Sequence, residues 1–258
     1  MNNINKKISM SFVAYFIMVI INTLGAFGFI NGLSQKEVSN EFDTMITPAG
    51  FTFSIWGVIY SLLLITLVVA FVNRDKTYYK NFIERISFWF VLSCVFNILW
   101  NVVFAYRMIA LSLLMILGLL FTLVAILRNL QALRDNSKWV PALSFGLYAG
   151  WIFIASFVNF SAFLVSIDFN YFGSTELVFS IAVVVVASLL AIGMVRYHQN
   201  AIFPLAIAWA YFGGMMELKK TGDMSMLGTL LLITMAVMIV VSAYMLYKNR
   251  ALIGAYSR

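Results

Sequence analysis

The sequence predicts an all-α protein that crosses a lipid bilayer many times. Of its 258 residues, 63% are hydrophobic and 10% are charged, and the mean hydropathy is +0.95. A soluble domain carries about 25% charged residues and about 45–50% apolar ones, so no soluble fold could bury this apolar excess. The apolar residues also fall into eight runs with short polar connections. We therefore expect a polytopic helix bundle whose main partner is the lipid bilayer.

Each run is expected to form one membrane helix, because a helix needs about 20 apolar residues to span the hydrocarbon core. The first run follows Lys6 and Lys7 and is longer than the apolar region of a signal peptide, which has about 7–15 residues. The seventh run is short and contains Pro204 and Gly213, so a broken or re-entrant helix is the alternative there. The eight runs are 8–30, 51–72, 86–106, 109–127, 140–167, 177–195, 201–216 and 224–247.

The distribution of basic residues predicts the orientation. If the chain crosses eight times, thirteen Lys and Arg fall on one side, and the positive-inside rule places that side in the cytoplasm. Both termini are then cytoplasmic, in a cell membrane that we expect to be the cytoplasmic membrane of a bacterium. The spread of these charges over short connections is unlike a nucleic-acid-binding patch. The thirteen are Lys6, Lys7, Arg74, Lys76, Lys80, Arg85, Arg128, Arg134, Lys138, Arg196, Lys248, Arg250 and Arg258, against Lys36, Arg107, Lys219 and Lys220 on the other side.

Several classes of chemistry are disfavoured by what the runs lack. None contains an internal Asp, Glu, Lys or Arg, which argues against a carboxylate-driven proton pump and against a hydrolase with an acid–base pair. Cys94 is the one cysteine and His198 the one histidine, so no metal site and no catalytic residue is expected. We expect His198 to be a solvated loop residue beside Arg196.

Three stripes of aromatic and neutral polar residues stand out instead. Their spacing of three, four or seven residues places each stripe on one helix face. Asparagine is costly in lipid, so these faces meet other helices or a cavity. Two interpretations stay open, namely interhelical hydrogen bonds and a pocket for a flat, apolar ligand. The stripes are Phe53, Trp56 and Tyr60; Asn97, Trp100, Asn101 and Phe104; and Tyr148, Trp151, Ala155 and Asn159.

The longest connection on the less basic side, residues 31–50, is either a lid or slack chain. It ends in Thr47-Pro48-Ala49-Gly50. A proline followed by glycine just before an apolar run fits a chain that turns into a helix. Trp139, beside Lys138, is instead expected to anchor at the membrane interface.

The stripes resemble the TspO/MBR family, the translocator protein or tryptophan-rich sensory protein family. The stretch TPAGFTFSIWGVIY at 47–60 is similar to the start of its second helix. The spacings Asn97-x-x-Trp100-x-x-x-Phe104 and Tyr148-x-x-Trp151-x-x-x-Ala155-x-x-x-Asn159 are similar to its third-helix and fifth-helix motifs. The resemblance covers residues 1–167.

The resemblance implies a five-helix membrane domain over residues 1–167, often dimeric, with a cavity that takes porphyrins and synthetic aromatic ligands. Asn97, Trp100, Trp151 and Ala155 would line this cavity, and the loop that carries Pro48 and Gly50 would cover it. No resident cofactor is implied, and the expected ligand is a tetrapyrrole such as protoporphyrin or haem. Residues 168–258 would form a three-helix membrane extension that five-helix members lack.

The chain also departs from the family pattern. The family has a Trp shortly after the Pro-Pro that opens the second helix, and this chain has Phe51 or Gly50 there. The family also has a proline after the third-helix Trp, and this chain has Val102 there. Porphyrin photodegradation in the family is linked to that missing Trp, so we expect no enzyme. The sequence therefore predicts a receptor, sensor or translocator for a hydrophobic aromatic ligand. A secondary permease for a small neutral solute and a non-catalytic accessory subunit are the alternatives.

Overall fold

The computed structural model describes residues 3–133, 135, 138–171, 174–222, 226–250 and 252. Arg134 and Arg258, which count toward the predicted charge bias, lie outside these residues. The described chain is helical, which confirms the predicted all-α bundle. Its helices are α1 (Asn3–Ala26), α2 (Gln35–Glu41), α3 (Ile55–Val72, after a 3-10 turn at Gly50–Ser54), α4 (Thr77–Ala105), α5 (Ile109–Ala132), α6 (Trp139–Ser166), α7 (Glu176–His198), α8 (Phe203–Thr221) and α9 (Met226–Asn249).

Seven of the described helices are long and apolar enough to cross a membrane: α1, α3 with its preceding turn, α4, α5, α6, α7 and α9. The exception among the predicted crossings is α8, whose last turns contain Glu217, Lys219 and Lys220. It is nonetheless one unbroken helix of 19 residues, about 28 Å long at 1.5 Å per residue. Pro204 sits in its first turn, where a missing N–H costs nothing.

Helix α8 runs from one end of the bundle toward the other. Just before it, the Asn200 side chain donates to the carbonyl oxygen of Ala142 at the start of α6, 2.9 Å away. Just past its midpoint, the Gly213 carbonyl accepts from the backbone N–H of Ala49 in the loop before α3, at 3.1 Å. By length and composition seven of the described helices can span a membrane, and an eighth crossing, by α8, stays a prediction.

The bundle has a basic end and a lid end. The basic end holds the start of α1 and the ends of α5, α7 and α9, with Lys7, Arg128, Arg196 and Lys248. The lid end holds residues 27–54 and the turn at Arg107. Every described Lys and Arg falls at the end that the sequence assigns to it. Which end faces the cytoplasm stays a prediction.

Helix α4 begins nine residues before the predicted run at 86. Its first turns carry Lys80 and Arg85, which make the segment polar on average, whereas Phe82 and Ile83 of the same turns are buried in the core. The predicted run began too late because it was drawn from mean hydropathy. The periodic burial of apolar residues shows that the helix begins earlier.

Of the C-terminal helices, α8 packs closely on α6, the most buried of the spans, and α9 packs on α8. A Cβ at Gly150 would overlap the carbonyl of Phe203, and one at Gly146 would overlap the amide of Asn200. These two glycines thus let α8 lie close against α6. One apolar core runs through residues on both sides of the predicted boundary at 167, and the division into 1–167 and 168–258 stays a prediction.

Candidate functional site

Aromatic side chains from α3, α4 and α6 surround a cavity below the loop of residues 27–49. The Trp56 ring meets the Trp151 ring edge-on, with centroids 6.2 Å apart and planes at 87°. It also tilts against Trp100 at 6.4 Å, and Trp100 stacks on Phe104 at 5.3 Å. The lining residues are Ser39, Pro48, Phe53, Trp56, Trp100, Phe104, Ile116, Trp151, Ile152, Ile154, Ala155, Val158, Asn159, Ala162 and Ala210.

The cavity is small in this conformation. Its lining is uncharged, and its volume is about 50 Å³. That is room for a few water molecules, since one needs at least about 10–15 Å³. Sites for drug-sized ligands are roughly 300–1,000 Å³. A larger aromatic molecule therefore enters only if the loop or the rings move.

Two indole nitrogens on the cavity wall lack a hydrogen-bond partner. Trp56 is 8% exposed and Trp151 is 3% exposed, yet neither Nε1 has an acceptor within the described residues. Buried polar groups almost always find a partner. Both nitrogens are fully buried in this conformation, so an acceptor atom of a ligand reaches them only when the surrounding side chains move.

Asn159 also lines the cavity, but its amide is already engaged. Its Oδ1 accepts from Nε1 of Trp100 at 2.9 Å, and its Nδ2 donates to Oγ of Ser112 at 3.0 Å. Asn159 thus links α4, α5 and α6 and holds the Trp100 ring in place.

The other asparagines of the stripes lie outside the cavity. The Asn22 side chain of α1 donates to Oδ1 of Asn97 at 2.6 Å, and Asn97 donates to the Tyr148 hydroxyl at 2.8 Å. Asn101 donates in turn to Oδ1 of Asn22 at 2.8 Å. This amide network (Asn22, Asn97, Asn101 and Tyr148) joins α1, α4 and α6. Asn97, which the resemblance places in the cavity wall, is not among the lining residues, and its amide bonds to side chains of α1 and α6.

Among the predicted residues, Tyr60 and Gly50 also fall outside the cavity wall. Tyr60 stacks on the far side of Trp56, with centroids 5.3 Å apart. Gly50 lies under the side chain of Lys36, and a Cβ there would overlap it. The structure brings Pro48, Phe53, Trp56, Trp100, Phe104, Trp151, Ala155 and Asn159 together around one cavity.

The loop over the cavity, which we call the lid, is folded in this structure, and its role as a lid stays a prediction. It contains α2, whose start is stabilised by a capping box between Ser34 and Glu37. Glu41 forms a two-point ion pair with Arg107, with N–O distances of 2.5 and 2.9 Å. Ser39 and Pro48 of this lid form part of the cavity wall.

The C-terminal helices hold the same lid. The backbone N–H of Met45 donates to Glu176 of α7 at 3.0 Å, and that of Ala49 donates to Gly213 of α8. Ala210 of α8 lines the cavity itself. The spacing of residues along the sequence did not indicate that α8 contributes to the cavity. Spacing shows which residues share a helix face but not which helices pack together.

Phe51, which with Gly50 is one of the two residues expected at the place of the second-helix Trp, faces α8. Its ring is 46% exposed and meets the Trp209 ring edge-on at 5.6 Å. It is not among the lining residues. Trp139 is 54% exposed at the start of α6, the exposure expected of an interface anchor.

His198 corrects a prediction. It is 2% exposed and is the last residue of α7, not a solvated loop residue. Neither ring nitrogen has a partner within the described chain. Local sequence could not reveal this, because the covering surface comes from α5.

Together, the fold and the cavity define a polytopic helical membrane protein with a lid-covered aromatic cavity. The sequence model of the TSPO-like protein family matches residues 8–246, and the chain belongs to that family. The match extends past residue 167 and includes the three C-terminal helices. No match was found among curated proteins or among solved structures.

Proposed function

We propose that this protein is a membrane receptor, sensor or translocator that binds a tetrapyrrole or a similar hydrophobic aromatic ligand in the lid-covered cavity. The observation that carries the proposal is the pair of unpartnered indole N–H groups of Trp56 and Trp151 on an uncharged, mostly apolar wall whose polar side chains are Ser39 and Asn159. Aromatic walls with a few polar groups are typical of sites for flat apolar ligands.

The unpartnered donors narrow the class of ligand. A molecule that stacks on Trp100 or Phe104 can also pair with both indoles only if it carries hydrogen-bond acceptors, such as carboxylate oxygens. Protoporphyrin and haem combine a flat aromatic ring with carboxylates and so meet both requirements. A pure hydrocarbon meets only the first.

Ligand entry requires the lid to move, because the closed cavity is too small for such a ring. The lid contacts that must yield include hydrogen bonds, the exposed ion pair of Glu41 with Arg107 and the apolar packing of Val38, which is fully buried. Exposed ion pairs contribute about 0–1 kcal/mol, so the apolar packing is the larger barrier to opening.

No catalytic step is part of the proposal. The lining residues include no Asp, Glu, His, Lys or Cys, and Phe51 or Gly50 stands where the resemblance places the Trp linked to porphyrin breakdown. A permease for small neutral solutes would need an open polar path. The asparagines that would supply it bond to one another in the amide network.

A titration of the purified protein tests the proposal. Protoporphyrin and haem should each cause a saturable change in their absorbance and quench tryptophan fluorescence. Perylene, a flat hydrocarbon without acceptors, should bind more weakly, because two buried donors stay unpaired. No saturable binding of either tetrapyrrole would contradict the proposal and favour a non-catalytic accessory subunit.

A further inference from the structure

A second cavity opens at the basic end, far from the lid, on the surface of α4, α5 and the end of α7. It is a groove of about 640 Å³ that faces outward from the bundle. We call it the basic groove. Its residues are Trp89, Phe121, Val124, Ala125, Arg128, Asn129, Ala132, Tyr197 and His198.

The groove is polar at one end and apolar at the other. Arg128 is exposed, and no ion pair to it is found within the described chain. Phe121 precedes Arg128 by seven residues on α5, so it lies about 10 Å further along the helix axis toward the membrane centre. Its ring is 64% exposed and meets Trp89 of α4 edge-on at 6.0 Å.

His198 adds an unsatisfied group to the polar end. Both of its ring nitrogens are buried and unpartnered in the described residues. A neutral imidazole has one N–H donor and one acceptor, so one nitrogen can donate to an anion. Buried polar groups without partners are rare and indicate a missing partner.

We propose that the basic groove binds an anionic glycerophospholipid. Its phosphate lies between the Arg128 guanidinium and His198, and an acyl chain lies along Phe121 and Trp89. The guanidinium fork matches phosphate oxygens in geometry and charge. Basic pockets between membrane helices are known to favour anionic headgroups. The occupant is a lipid rather than a free anion, because the apolar half of the groove continues into the hydrocarbon region.

Native mass spectrometry of the detergent-purified protein tests this proposal with three dioleoyl lipids. Phosphatidylglycerol should bind at least about fivefold more tightly than phosphatidylcholine, the factor expected for about one favourable charge at the surface. Diacylglycerol, which lacks the phosphate, should bind more weakly than either. Millimolar inorganic phosphate should not displace phosphatidylglycerol.

Variants locate the site. Arg128→Gln should abolish the preference for phosphatidylglycerol, whereas Arg74→Gln, a matched loss of charge outside the groove, should retain it. His198→Phe should weaken phosphatidylglycerol binding without lowering the thermal midpoint, because it removes nitrogens that have no partner in the protein. Equal phosphatidylglycerol binding by the two arginine variants would overturn the proposal. So would equal binding of diacylglycerol, or displacement of the lipid by inorganic phosphate.

Discussion

The Trp209 indole of α8 donates a hydrogen bond from Nε1 to the carbonyl oxygen of Thr52, 3.0 Å away, in the turn that begins α3. This bond joins a C-terminal helix to the wall of the lid-covered cavity. Four residues later on α8, the Gly213 carbonyl accepts from Ala49 of the lid. Helices α7 and α8 therefore contact the candidate site and are not only an addition at its side.

Gly213→Ala should loosen this junction. The new Cβ would overlap the side chain of Thr52, which is fully buried and cannot move freely. We expect a lower thermal midpoint, consistent with the roughly 1–3 kcal/mol that overpacking costs. Differential scanning fluorimetry of the purified protein measures it.

The matched control is Gly193→Ala on α7, where a Cβ would meet nothing within 4 Å. Alanine is more favourable than glycine inside a helix by about 0.5–1 kcal/mol, so the thermal midpoint of Gly193→Ala should stay unchanged or rise. Equal destabilisation by both variants would show that the contact between α8 and the turn at Thr52 is not tight.

The lid should respond to acid only at low pH. The hydrogen bond from Arg107 is the main cause that holds the pKa of Glu41 below its ordinary value of 4.5. The ion pair is therefore fully present above pH 4.5 and is lost as the pH falls through the lowered pKa. A spin label at Asn40, an exposed position on α2, should show constant mobility from pH 8 to pH 5 and higher mobility below about pH 4.5.

Glu41→Gln supplies the comparison for the lid. In the Glu41→Gln variant the spin label at position 40 should be equally mobile at every pH, because the ion pair with Arg107 is absent throughout. A sharp rise in mobility of the unsubstituted lid near neutral pH would contradict the role given to Glu41.

The amide network should contribute to stability and not to ligand binding. Asn97→Leu removes the acceptor for Asn22 and the donor to Tyr148. Interhelical hydrogen bonds in membranes contribute about 0.6–2 kcal/mol, so the thermal midpoint should fall while the dissociation constant for protoporphyrin changes less than about twofold. Lost protoporphyrin binding at an unchanged midpoint would place Asn97 in the ligand site after all.

The orientation follows from the basic residues and can be tested by cysteine labelling in intact cells. Asn40→Cys at the lid end should react with an impermeant maleimide, and Lys248→Cys at the basic end should react only after permeabilisation. Cys94 is buried and should not react with the maleimide before or after permeabilisation. The reverse pattern of labelling would invert the proposed topology.

Helix faces were predictable from sequence because they depend on spacing alone. Trp100 and Phe104 share a face of α4, and Trp151 and Ala155 share one of α6, and all four line the cavity. The partners of Asn97 and Asn101 were not predictable. Asn22 lies 75 residues before Asn97, and only the packing of α1 on α4, where Gly25 leaves room for the Asn101 amide, brings the three together.

The central claim is that the cavity between Trp56, Trp100 and Trp151 holds the ligand, and one comparison of dissociation constants for protoporphyrin tests it most directly. Trp151→Ala removes a stacking surface and an unpartnered donor, so binding should weaken by about 2 kcal/mol or more, which is at least about tenfold. Ala155→Leu should also weaken binding, by filling the cavity. Trp139→Ala removes an exposed indole at the start of α6 and should leave the constant unchanged. Equal weakening by Trp139→Ala and Trp151→Ala would contradict the account.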